Sequence, residues 1–305
     1  MSRNPSQWRW FVDWGTPWCG LLIKSKEILY SGRTRYQQVD IVESEELGRC
    51  LILDGAIQSS TSDERIYHEA LVHPGLLSCS SPRRVMVIGG GEGATIREIL
   101  RHRSVEKVVM IDIDEELIEL TKRYLPQMHE GSFEDSRVEL VFEDGKEYLR
   151  RVSEDFDGII LDATDPNEGG PSQLLYTKEF YQLVFEKLSE EGVVVTQATS
   201  PFFSLDCFSI IHHTMEQVFS SVGAYCAPVR TFGGLWGFVV ASKAEVNWVD
   251  LPELEARLEQ LGGEALHFYN SSVHRGLFAL PNFIRRALEG EERVATDQNK
   301  VYMPV

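Results

Sequence analysis

The sequence predicts an α/β protein: a doubly wound, mostly parallel sheet preceded by a small antiparallel β domain. Three observations carry this prediction. Short alternating apolar runs fill the chain up to residue 75, with turn residues between them. After residue 82, near-continuous Val/Ile runs alternate with helical segments, the pattern of strands buried on both faces. The crossovers must then be right-handed, which winds the sheet in both directions. We read two domains, residues 1–75 and 76–305.

In the first domain, strands are expected at 20–24, 26–30, 36–42 and 49–54, with turns at Ser31-Gly32 and Asp54-Gly55. Four strands need a further surface to pack on. The aromatic start (Trp8, Trp10, Phe11, Trp14, Trp18) suggests a dimer or tetramer interface, or else a local core. A helix follows over 63–77. In the second domain the expected strands are 85–88, 108–111, 138–142, 158–161 and 193–197, with further strands near 224–229 and 236–241. Helices are expected over 95–102, 115–124, 146–152, 178–188 and 206–219.

Composition narrows the function. The chain has 305 residues, 43% of them apolar and 25% charged, which is a globular composition. Thirty Lys and Arg against 47 Asp and Glu give a net charge of −17. That disfavours a nucleic-acid partner, which requires basic surface, and suits cationic ligands or solubility. No apolar run is long enough to span a bilayer, and the N-terminus lacks the apolar core of a secretory signal. The five cysteines (Cys19, Cys50, Cys79, Cys207, Cys226) are scattered without metal spacing. They read as reduced thiols of a cytoplasmic protein.

In a doubly wound fold, ligands sit at the carboxyl ends of the strands. Here those positions are mostly acidic. The loop Gly89-Gly90-Gly91-Glu92-Gly93 follows the first parallel strand and lets backbone approach a ligand. Its spacing departs from the dinucleotide fingerprint. Such a loop is shared by NAD, FAD and adenosylmethionine folds, the departure disfavours a dehydrogenase, and the expected sheet is Rossmann-like, of the methyltransferase type. Asp112, about 20 residues past the loop, is placed to accept ribose hydroxyls. Asp114 either supports it or caps the next helix. Asp144-Gly145 suits an adenine amine, or an N-cap. Asp162 and Asp165 follow the fourth strand and can converge on one ligand. Two carboxylates so close favour a cation between them. Glu92 would repel the α-carboxylate of adenosylmethionine, yet it would hold the ammonium of the decarboxylated form.

These residues resemble the polyamine aminopropyltransferase family, the spermidine, spermine and thermospermine synthases. The resemblance spans nearly the whole chain. Its marks are Tyr36-Gln37, 53–58, Asp63-Glu64, Tyr67-His68-Glu69, 89–93, Asp112 to Asp114, Asp144-Gly145 and 162–166. It implies aminopropyl transfer from decarboxylated adenosylmethionine to an amine, releasing methylthioadenosine. The donor would be a co-substrate, with no cofactor and no metal. The resemblance assigns Gln37, Gly89, Gly91, Glu92, Asp112, Asp144, Gly145 and Pro171 to the donor. It assigns Gln58, Tyr67, His68, Asp165 and Phe232 to the acceptor, and the catalytic base to Asp162. The other reading of His68 is a core histidine satisfied by its neighbours.

The acceptor signals are mixed. Asn167 to Pro171 and Leu174 to Lys178 resemble thermospermine synthases. Phe232 stands where many spermidine synthases have Tyr, so a hydroxyl for a diamine is lost. The segment 295–299 resembles enzymes that accept agmatine or triamines. Spermidine is the expected acceptor, with putrescine and agmatine as alternatives. Outside the family, the alternatives are an adenosylmethionine-dependent methyltransferase and a non-catalytic polyamine-binding protein. The implied partners are small molecules and further copies of the chain, a homodimer or homotetramer, with neither nucleic acid nor membrane.

Overall fold

The computed structural model describes residues 9–262 and 265–303. Trp8 therefore lies outside the described residues.

The N-terminal sheet has five antiparallel strands in sequential order. They are β1 (Arg9–Thr16), β2 (Cys19–Arg33), β3 (Gln38–Ser44), β4 (Gly48–Leu53) and β5 (Ala56–Ser60). The two strands expected at 20–24 and 26–30 are one strand. Irregularities at Ser25/Glu27 and Ile28/Tyr30 shift its register and break the alternation that would have joined the runs. Ser31-Gly32 lies inside β2 and is no turn. A Cβ on Gly32 would come within 2.5 Å of the Tyr30 hydroxyl, so glycine here clears a side chain. Asp54-Gly55 is a turn, with φ of 47° and 90°. Two left-handed residues suit the two-residue hairpin that pairs Leu53 with Ala56.

Helix α1 (Glu64–Leu76) leads into the second sheet. There follow β6 (Arg84–Gly89), α2 (Ala94–Leu100), β7 (Lys107–Asp112), α3 (Glu115–Tyr124), α4 (Pro126–His129), β8 (Val138–Phe142), α5 (Gly145–Arg151) and β9 (Phe156–Asp162). Then come α6 (Lys178–Lys187), β10 (Leu188–Gln197), α7 (Leu205–Glu216), β11 (Ser221–Val229) and β12 (Gly234–Ser242). The tail adds α8 (Leu254–Gln260), α9 (Ser271–Leu277) and α10 (Asn282–Glu289), which the sequence pattern did not signal.

The seven strands run in the order β11-β12-β10-β9-β6-β7-β8. β12 runs opposite to the other six strands, which are parallel to one another. Val87 of β6 pairs with Met110 of β7 and with Ile160 of β9. All three side chains are fully buried, as strands covered on both faces require. The chain runs outward from β6 through β8, then returns to the other side of β6 at β9. A crevice opens at that reversal.

The small sheet lies over the crevice. Val39, Ile41, Leu51 and Leu53 pack with Ala94, Leu117, Leu125 and Met128 of the helical layer. Arg49 donates to the Tyr124 carbonyl at 2.6 Å across the same junction. The other face of the β1–β2 hairpin carries Trp10, Val12, Trp14 and Leu22, all exposed.

Candidate active site

One cleft runs along the carboxyl ends of β6, β7, β8, β9 and β10, roofed by β1 and the β4–β5 region. Gln37, Gln58, Tyr67, Gly89, Gly91, Glu92, Asp112, Asp144, Gly145, Asp162, Asp165, Pro171 and Phe232 all line it. His68 does not. It is fully buried, one layer behind Glu92.

The glycine loop is tight for steric reasons. Gly89 has φ +86°, and a Cβ there would sit 2.2 Å from the Asp162 backbone oxygen. Close approach of β6 to β9 thus requires glycine, and it brings Asp162 beside the loop. The Gly145 position has a packing cause as well. A Cβ there would meet Ile88 at 2.5 Å, so packing also favours glycine at this cleft-lining position.

Asp112 ends β7, half-buried in the cleft wall. Its Oδ1 accepts the Asp114 amide at 2.8 Å. Burial pushes its carboxyl up to about 7, despite that amide, and the charges of Asp114, Glu92 and Asp162 add to the rise. Asp114 caps α3 by accepting the Leu117 amide at 3.1 Å. Its other oxygen accepts the Thr34 hydroxyl at 2.6 Å and the Gln37 amide at 2.9 Å. Asp114 is thus off the cleft and fixes Gln37 on it. Asp144 caps α5 through the Glu147 amide at 2.9 Å while its residue still lines the cleft.

Helix α1 sends three consecutive side chains to three places. Tyr67 donates its hydroxyl to Asp162 Oδ1 at 2.8 Å. His68 Nε2 faces Glu92 Oε1 at 3.1 Å, and Nδ1 faces Glu64 Oε2 at 2.9 Å. Glu69 turns away and accepts the backbone amides of His267, Phe268 and Tyr269, each at 2.8 Å. It anchors the C-terminal segment. Asp63 is structural too. It accepts the Thr231 amide at 2.8 Å, which seats the Phe232 turn.

Asp162 also accepts the Thr95 hydroxyl at 2.5 Å. Burial raises its carboxyl above the usual range, and the charge of Glu92 adds to this. The nearby His68 cation and the hydroxyls of Thr95 and Tyr67 oppose the rise. Burial holds the Tyr67 phenol far above its ordinary value, with the Asp162 charge reinforcing it, so it stays a donor. Asp165 accepts from Gln197 at 3.1 Å. Burial lifts Asp165 to about 6 against that bond, with help from the charge of Asp13.

Asp13 has no sequence signal. It lies on β1 and reaches the cleft beside Trp14 and Gly15. The Ile57 amide donates to it at 3.3 Å, yet burial still raises it to about 6. Phe203 and Trp236 line the same end, and Phe232 packs on Trp236 at 4.5 Å between ring centroids.

His68, Glu92 and Asp162 place polar atoms within 4.8 Å of one another. This resembles a metal cradle, but both imidazole nitrogens face carboxylates. An imidazole that donates to a carboxylate from each nitrogen has no lone pair for a metal. The cleft is instead a row of carboxylates under aromatic walls, suited to a nucleoside at the β6–β8 end and ammonium groups at the β9–β10 end.

Comparisons with known proteins point to one family. Residues 64–251 match the spermine/spermidine synthase domain, and residues 9–61 match the spermidine synthase tetramerisation domain. The polyamine aminopropyltransferase of Sulfurisphaera tokodaii is 44% identical over 300 residues, 98% of this chain and 99% of that protein. Polyamine aminopropyltransferase 2 of Hyperthermus butylicus is 46% identical over 302 residues, 98% of each. A crystal structure of spermidine synthase in complex with the transition state analogue AdoDATO superposes with a TM-score of 0.88 at 35% identity. It covers 95% of this chain and 98% of its own. Spermidine synthase from Thermotoga maritima gives a TM-score of 0.85 at 34% identity, covering 95% and 97%.

Proposed function

The chain belongs to the spermine/spermidine synthase family and transfers an aminopropyl group from decarboxylated S-adenosylmethionine to an amine, and we propose that the amine is spermidine. The observation that carries this choice is Asp13. Beyond Asp162 and Asp165 it adds a third carboxylate to the acceptor end of the cleft, close enough to Asp165 for their charges to interact. Spermidine keeps two ammonium groups when one nitrogen is presented neutral for attack, and Asp165 and Asp13 match them. The apolar ring of Phe232, with Phe203 and Trp236, suits the methylene chain between.

The donor lies over the glycine loop. Gly89 and Gly91 let it approach the backbone, and Asp112 accepts the ribose hydroxyls with Gln37 beside it. Asp144, Gly145 and Pro171 enclose adenine. Glu92 binds the ammonium of the aminopropyl chain, where the α-carboxylate of ordinary adenosylmethionine would be repelled. Gln58 and Tyr67 face the amines, and His68 acts on them through Glu92.

The acceptor nitrogen attacks the methylene carbon next to the sulfonium. The new C–N bond forms as the C–S bond breaks, and its electron pair leaves on sulfur as neutral methylthioadenosine. The nitrogen must be neutral to attack. For an amine with a pKa near 10.4, that costs about 4 kcal/mol at pH 7.4. Asp162 offsets this cost by taking the proton, with Tyr67 holding the carboxylate in place. Alignment of donor and acceptor in one cleft supplies much of the rest.

We further propose a homotetramer built through the N-terminal sheet, whose exposed Trp10, Val12, Trp14 and Leu22 offer an apolar face. The five free cysteines suit a reducing cytoplasm. Among the described residues, no helix is long and apolar enough to cross a membrane.

The test is incubation with decarboxylated adenosylmethionine and putrescine, agmatine or spermidine in separate reactions. Products are identified by a separation that resolves spermine from thermospermine. We expect turnover to be fastest with spermidine. A higher kcat/KM with putrescine or agmatine would overturn the acceptor assignment.

A further inference from the structure

Behind the cleft wall stands a buried chain of alternating charges that no step above uses. Arg97 on α2 forks onto Glu64, Nη1 to Oε1 at 3.0 Å and Nη2 to Oε2 at 2.9 Å. Arg97 Nε donates to Glu98 at 2.7 Å, and its Nη1 also reaches the Met128 carbonyl. Arg65 Nε lies 3.9 Å from Glu64 on the outer side. Glu64, His68, Arg97 and Glu98 are all buried.

The His68 ring has acceptors on both sides. Nδ1 faces the Glu64 carbonyl at 2.7 Å and its carboxylate at 2.9 Å. Nε2 faces Glu92 at 3.1 Å and Asp162 Oδ2 at 3.9 Å. A neutral imidazole carries one N–H and would point a lone pair at an oxygen on one side. Ionised carboxylates on both sides are satisfied only by an imidazolium.

We propose that Glu64 is a positioning residue of the reaction, clamped by Arg97 and fixing His68 with both ring N–H groups donating, one to Glu64 and one to Glu92. Glu64 sits outside the cleft and acts through His68. The cation it holds has two effects at the site. It ties down one oxygen of Glu92, leaving the other for the donor's ammonium. It also faces Asp162, where a positive charge favours the carboxylate over the acid. The other groups facing Asp162 are Glu92, Tyr67 and Thr95. Burial works against the charged ring, but the hydrogen bonds to Glu64 and Glu92 raise His68 to about 10. Burial likewise opposes an ionised Glu64, and the His68 and Arg97 bonds hold it below the ordinary carboxylate value.

The inference rests on the assignment of Asp162 as base, so the test uses one readout independent of that assignment. In the full-length protein with ¹⁵N-labelled histidine, nitrogen shifts report the protonation of His68 directly. We expect wild-type His68 to stay doubly protonated past pH 8. In Glu64→Gln, with one of its two anionic partners gone, it should deprotonate at or below the ordinary histidine value of 6.5. The acidic limb of kcat at saturating spermidine should then move upward, a roughly tenfold loss at pH 6.5 that shrinks towards pH 9. Glu64→Asp should return the limb towards wild type. Should Glu64→Gln fail to fold, His68→Gln, which keeps a donor and removes the charge, should shift the limb in the same way. A His68 titration unchanged in Glu64→Gln would overturn the proposal. So would a loss of equal size at every pH, in Glu64→Gln or in His68→Gln. Asp162→Asn distinguishes the two failures. If its acidic limb persists, the base assignment is wrong, while the nitrogen shifts still decide the role of Glu64.

Discussion

Asp162 gathers more of the chemistry than any other single residue. Tyr67 and Thr95 hold its two oxygens, Glu92 and burial favour its protonated form, and His68 favours its ionised form. A base balanced in this way can take a proton without holding one permanently at neutral pH. Asp162→Asn keeps the shape and removes the proton acceptor, so turnover should fall by about 10²–10⁴-fold with donor affinity nearly unchanged. Single-turnover assays alongside calorimetry with methylthioadenosine would check this. Near-normal turnover would remove Asp162 from the role. Asp165 and Asp13, each raised by burial to about 6, add a pH signature. Above pH 6 they are charged and attract ammonium; below it they are neutral. KM for spermidine should therefore rise as pH falls from 7 to 5. A flat KM over that range would separate both residues from the acceptor.

At the scale of elements, the site depends on how closely β6 meets β9. The positive φ of Gly89 and the nearness of the Asp162 carbonyl leave no place for a Cβ. Gly89→Ala must strain the backbone or push β9 aside, at a cost of about 1–3 kcal/mol. Because Asp162 moves with β9, activity should fall further than the loss of folded protein explains. Urea denaturation with parallel assays would measure both, and a stability within about 0.5 kcal/mol of wild type would contradict the steric account. Helix α1 is the other organising element. Its residues 67, 68 and 69 diverge onto the base, the donor contact and the C-terminal anchor, because successive residues on a helix point about 100° apart. The sequence marked Tyr67-His68-Glu69 as a group, but only the packing of α1 separates the three roles. Glu64 was legible in part, since it lies four residues before His68, one turn along the same face.

For the whole molecule, the net charge of −17 is spread over 47 acidic residues, most of them far from the cleft. A long-range negative field still draws polyamines inward. Association of spermidine, followed as kcat/KM, should fall several-fold between 0.05 and 0.5 M NaCl as screening shortens from about 14 Å to about 4 Å. An on-rate indifferent to salt would leave only the local carboxylates at work. The small sheet matters at this scale as well. It folds over the crevice through Val39, Ile41, Leu51 and Leu53, and so delivers Gln37, Gln58 and Asp13 to a site whose chemistry lies in the other sheet.

By itself the sequence determined the parallel sheet, the glycine loop and the acidic residues at strand ends. Each is a local pattern: a Val/Ile run is a buried strand, and the residue after it stands at the carboxyl edge whatever the rest of the chain does. The family, and with it the reaction, followed from those same positions. Tertiary structure decided what depends on approach from a distance. It set His68 behind Glu92 rather than on the cleft, made Asp114 a brace for Gln37, and packed Gly145 on Ile88. It brought Asp13 across from β1, an aspartate that nothing in its neighbourhood distinguishes from its solvated counterparts. Contacts between residues 24 to 77 apart in sequence fix these roles, and no local pattern encodes such pairings.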